Sequence, residues 1–192
     1  MNRLNAHRTL TVLLLAALTA IPVGCAGPED GAANEAFEAA IGATTITVYP
    51  AFVRRNETNS HDTGAAERIS AFLQTERLAS ATVTDERVPI DGPWRVNQLR
   101  MLRNSAATFA DYVVDHPIET DYALLPEYLG GSSAFGGVHG YVVTADGRVA
   151  YVVLQNSHWP IYQDVNPKTV DDCTKILTRC LLDDLARHRD DH

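Results

Sequence analysis

Hydrophobic positions along the chain follow three rhythms. An unbroken apolar run, Leu10–Ile21 ("LTVLLLAALTAI"), lies near the amino terminus. Beyond it, alternating β-branched and aromatic residues mark strands, and apolar residues recurring every three or four positions mark helices. Thr44–Val53 ("TTITVYPAFV") predicts a strand, weakened at Pro50. Arg54–Thr63 is polar and predicts a loop, with Asp62 or Thr63 placed to cap the next helix. That helix spans Gly64–Leu78, with Ala65, Ile69, Phe72 and Leu73 on its inner face. Ser80–Val88 predicts a second strand, and "PIDGPW" a turn. Leu99, Leu102, Ala106, Phe109 and Val113 then form the core-facing stripe of a helix over Val96–Val114, stopped by Pro117.

Asp121–Leu129 reads as a third strand and Gly130–Gly137 as a mobile glycine loop. Val138–Ser157 reads as a hairpin turning at Asp146-Gly147, which sets Tyr141 opposite Val152 and His139 opposite Leu154. Asn156–Lys168 predicts an aromatic, proline-bearing loop. Thr169–His188 predicts a closing helix, with Thr169 and Asp172 as a capping box and Val170, Cys173, Leu177, Cys180 and Leu181 buried. The order β-α-β-α-β-β-β-α implies one α/β domain over 44–192, with a mixed sheet of about five strands and three main helices.

The isolated apolar run has a different role. With Arg3 and Arg8 before it and Gly24, Cys25 and Ala26 after it, it has the parts of an export signal over 1–24, and it is short of the about 20 residues a membrane span needs. "VGCAG" resembles a bacterial lipobox, which predicts a lipid on Cys25 and a membrane-anchored protein. Ala26, not Asp, after the cysteine implies the outer membrane, facing the periplasm, in a Gram-negative cell. Pro22 departs from the lipobox pattern, and cleavage after Ala26 to give a soluble periplasmic or secreted protein is the alternative. Residues 25–43 then read as the lipidated cysteine followed by a flexible acidic tether, in which a short helical turn around Asn34–Ile41 is the other possibility.

Charge narrows the partners. The 192 residues carry 24 acidic and 16 basic side chains, a net charge of −8, with no basic cluster. This argues against nucleic acid, whose phosphates need Lys and Arg, and leaves the membrane to the lipid. Cys173 and Cys180, two turns apart on one helix, would stand about 10 Å apart, too far for a disulfide. They read as buried thiols.

Several stretches carry a resemblance. "AERISAFLQTERL", "ATFADYVVDHPIETDYALLPEYLGG" and the hairpin "VVTADGRVAYV" follow one another in an order similar to a group of envelope domains. These are the amino-terminal domain of TolB-type periplasmic proteins and the curli-secretion and penicillin-binding-protein-activator lipoproteins. The chain also resembles uncharacterised bacterial lipoprotein families. The resemblance implies an assembly or interaction module with an envelope protein partner, no cofactor and no common catalytic residue.

Candidate chemistry is sparse. "GGSSA" at Gly130–Ala134 falls short of a nucleophile elbow, which needs a following helix and a last glycine. His139 and His158 share a sheet face in the predicted hairpin, but His158 lies about 13 Å beyond the Leu154 position, too far for one metal. No metal site is therefore expected. An envelope hydrolase using His139 or His158 with an acidic partner is one alternative function, and small-ligand binding at the open end of the sheet another. Trp159, Ile161 and Tyr162 form the predicted partner-binding surface, since exposed aromatics anchor interfaces. The competing reading has Trp159 and Tyr162 folded over the sheet end.

Overall fold

The structure, a computed structural model, describes residues 29–90 and 98–190, with side chains described through 185. The export signal, Cys25 and the last four residues of the predicted "PIDGPW" turn lie outside the described residues. Among the described residues there are seven strands in one open mixed sheet and five helices, which cover both its faces.

The predicted first strand divides where proline interrupts it, into β1 (Thr45–Val48) and β2 (Ala51–Arg55). Both run parallel to one long strand, β5 (Tyr122–Gly130), and the register slips by one between them: Val48 faces Leu124 while Phe52 faces Glu127. Pro50 has no N–H to give, so the chain bulges there and resumes. The supposed polar loop is a correction. Thr58–Asp62 is a strand, β3, turned back antiparallel onto β2 through Asn56, whose φ is 55°. Its polarity marks an edge strand rather than a loop, since four of its five side chains carry hydroxyl, amide or carboxylate groups.

Asp62 ends β3 and accepts the Ala65 N–H, starting α2 (Thr63–Thr75). The second strand shortens to β4 (Ser80–Val83), parallel to β1. Then come α3 (Gln98–Asp115), β5, β6 (Phe135–Thr144) and β7 (Val149–Asn156). The glycine stretch is another correction: its second half belongs to β6, with a bulge opposite Leu129/Gly130. The hairpin pairs Tyr141 with Val152 and His139 with Leu154, as its turn residues predicted. Gly147 takes φ 82°, the left-handed position that closes the turn.

Two further helices exceed the predicted set. Gly31–Ala40 forms α1 within the stretch read as a tether. Asp30 caps it by accepting the Ala33 N–H, and Asn34 Nδ2 donates to the Ala150 carbonyl on β7. Its Phe37 is buried, edge-on to Tyr122 with ring centroids 4.9 Å apart. Short sequence and weak apolar content hid this helix, because a single aromatic supplies most of its docking. Pro160–Val165 forms α4 inside the predicted aromatic loop. The last helix, α5 (Val170–Asp190), has the capping box: Thr169 N–H donates to Asp172, and the Asp172 N–H donates to the Thr169 hydroxyl.

The two sheet faces build two cores. Helices α1, α2 and α5 cover one, over Ile46, Val48, Leu124, Tyr128, Val138 and Val142. Contact with α5 is close at Gly140, where a Cβ would lie 2.7 Å from Leu177 Cδ1. Cys173 and Cys180 are free and buried here, and burial raises both thiols, Cys180 to about 12. Helix α3 covers the other face with Leu102, Ala106, Phe109 and Val113, over Tyr49, Phe52, Leu125 and Tyr141. No described helix is long and apolar enough to cross a membrane.

Candidate functional site

The face under α3 holds one polar cluster in an apolar core. Antiparallel pairing puts Glu127 of β5 directly opposite His139 of β6, and Tyr141 lies two residues on, on the same face. Ser105 reaches down from α3. All four side chains are buried. Glu127 accepts from Ser105 Oγ at 3.0 Å, His139 Nδ1 at 2.9 Å and Tyr141 Oη at 2.5 Å. Burial opposes ionisation of Glu127, but the hydrogen bonds from His139, Tyr141 and Ser105 outweigh it and hold its carboxyl below the ordinary range. Three donors converging on one carboxyl fit the ionised form, which only accepts. Burial and the facing carboxylate push the Tyr141 hydroxyl well up, so it stays a donor.

The orientation of the cluster is traceable to a backbone group. The His158 N–H donates to Asn156 Oδ1 at 3.0 Å, so Asn156 Nδ2 is the atom that donates to Gln98 Oε1, at 3.1 Å. Gln98 Nε2 therefore faces His139 Nε2, at 3.5 Å. His139 accepts on Nε2 and donates from Nδ1 to Glu127, which is the neutral tautomer with its proton on Nδ1. Beside Gln98 a cleft of about 290 Å³ opens between the start of α3 and the β5–β6 turn.

His139 thus has an acidic partner, Glu127. The link was missed at the sequence level because the β5–β6 register depends on the bulge in the glycine stretch. His158 is exposed, away from the buried cluster, so the two candidate histidines are not brought together. Among the described residues no group of three or more His, Cys, Asp or Glu could hold a metal. Ser132 and Ser133 are exposed in a turn that enters a strand, without the helix an elbow requires.

The aromatic surface separates into two roles. Tyr162 is buried and its hydroxyl donates to the Phe135 carbonyl, while Ile161 is partly buried against the core. Trp159 stands 48 % exposed at the start of α4. Pro160 at the first helical position and the anchored Tyr162 hold that short helix in place. A groove of about 330 Å³ runs from Trp159 to α5, past Asp164, Arg179, Asp183 and Asp184. Arg179 lies 3.9 Å from Asp183, and Asp184 accepts the Tyr151 hydroxyl at 2.6 Å. Among the described residues that line it, three are aspartates and one is an arginine.

No family model matches the chain, and no curated protein matches it. Among solved structures, it is similar to the LpoB C-terminal domain from Salmonella enterica, at 16 % identity and a TM-score of 0.32, over 60 % of this chain and 82 % of that one. A likeness at that score carries no functional argument.

Proposed function

We propose that this protein is an exported envelope lipoprotein that acts as a non-enzymatic interaction module, presenting Trp159 to a basic segment of a protein partner. The observation that carries the reading is the half-exposed indole on a braced helix beside Asp164, Asp183 and Asp184. A lysine or arginine over an indole gains cation–π attraction, about 0.5–1 kcal/mol at an exposed site and more when desolvated. The surrounding carboxylates and the net charge of −8 favour such a partner. Trp159→Ala removes the anchor without touching Tyr162 or the core. We expect at least tenfold weaker partner recovery in a crosslinking pull-down, with an unchanged melting temperature; equal recovery removes this face from the interface.

The membrane part of the reading rests on Cys25. Cys25→Ser should shift the protein from the membrane fraction to the soluble periplasmic or secreted fraction, and wild type should incorporate labelled palmitate. Absence of label from wild type contradicts the anchor. The hydrolase alternative retains His139 with Glu127, but the group facing Nε2 is the Gln98 amide, which has no nucleophilic chemistry.

A further inference from the structure

The buried cluster and the cleft beside it share a boundary that the interaction reading does not use. His139 Nε2 and Gln98 Nε2 face each other at 3.5 Å, long for a hydrogen bond. Gly137 in β6 lies alongside both. A Cβ built there would be 3.4 Å from His139 Nε2, 3.6 Å from Gln98 Nε2 and 3.5 Å from Leu129 Cδ1. Gly137 lines the cleft, and its missing side chain is what lets the cleft border this acceptor and this donor. The cleft itself is lined by Met101, Leu129 and Phe135, with glycine backbone around them. Its about 290 Å³ suits a small molecule, at the lower end of the about 300–1,000 Å³ typical of drug-sized ligand sites.

We propose that this cleft binds a small apolar alcohol or phenol, whose hydroxyl inserts between Gln98 and His139 beside Gly137. A hydroxyl matches both atoms. It donates to His139 Nε2, held as an acceptor by the bond from Nδ1 to Glu127, and it accepts from Gln98 Nε2–H, whose orientation Asn156 sets. One long contact is exchanged for two of ordinary length. Phe135, Met101 and Leu129 take the apolar body. A carboxylate ligand fits poorly, because the Nε2 lone pair repels it and Glu127 already supplies the negative charge. The inference is independent of the Trp159 face.

The test uses phenol and toluene as probes of the full chain labelled with nitrogen-15 in histidine. Phenol should shift the His139 Nε2 resonance saturably, and toluene, lacking the hydroxyl, should bind at least tenfold more weakly. Gly137→Ala should weaken phenol at least tenfold. This variant should keep its fold, since the added methyl meets only ordinary contacts of 3.4 Å or more at a position where φ is not positive. An unshifted His139 resonance, equal binding of toluene, or unchanged phenol binding in a folded Gly137→Ala protein overturns the proposal. Should that variant melt at lower temperature, the comparison of the two probes on wild type decides alone.

Discussion

Replacing Glu127 with alanine is expected to destabilise the protein by about 3–5 kcal/mol, since each buried donor left without an acceptor costs about 1–3 kcal/mol. Three donors lose their common acceptor at once: Ser105 Oγ, His139 Nδ1 and Tyr141 Oη. None is exposed to water that could replace it. Urea unfolding followed by circular dichroism measures the loss directly, and a change under 1 kcal/mol would contradict the assigned network.

The same residue makes stability depend on pH in a definite direction. The folded carboxyl is held below its ordinary value of 4.5, so the unfolded chain takes up the proton first as pH falls. The stabilisation is fully present above about 4.5 and is lost as pH drops through the lower folded value. Asp121, Asp146 and Asp172 are lowered too, through hydrogen bonds from Thr45, Thr144 and the Lys168 N–H respectively. The difference between wild type and Glu127→Gln isolates the buried group: the two stability profiles should converge below pH 4.5 and run parallel above it.

Phe37→Ala carries the second large effect. Phe37 is 1 % exposed, edge-on to Tyr122 and 5.9 Å from Tyr151 between ring centroids. Truncating a buried phenylalanine typically costs about 3–5 kcal/mol, part from lost transfer energy and part from the cavity. Here it should also release α1 from β7, because Phe37 is the largest apolar group that α1 buries. Faster hydrogen exchange across Gly31–Ala40 would accompany the drop in stability. If α1 were only a tether, neither quantity would move.

These two residues show what the chain's pattern could and could not reveal. Long periodic segments were legible: α3 and α5 appear with their predicted inner faces, and the Asp146-Gly147 turn carried the register that pairs His139 with Leu154. A turn closed by two named residues leaves little freedom. The β5–β6 connection has no such mark, because glycines permit several turns and the bulge skips one of them. Pairing of Glu127 with His139 depends on that register, so the cluster could not be read from spacing. Phe37 was hidden differently. An aromatic among alanines and acidic residues has no period of its own, and only the sheet surface that receives it defines a buried face. Trp159 and Tyr162 looked alike in sequence, and the turn of α4 between them separates an exposed ring from a buried one.

The proposed function rests on Trp159 meeting a basic partner, and a photo-crosslinking tryptophan analogue that keeps the indole ring at position 159, in living cells, tests it most directly. Position 114 serves as the control, since Val114 is likewise exposed, at 53 %. The account predicts a discrete adduct from position 159 and none from 114, captured through a segment rich in lysine or arginine, and loss of that adduct when Asp164 and Asp183 are both replaced by lysine. Adducts equal at the two positions, or one indifferent to the charge reversal, would contradict it.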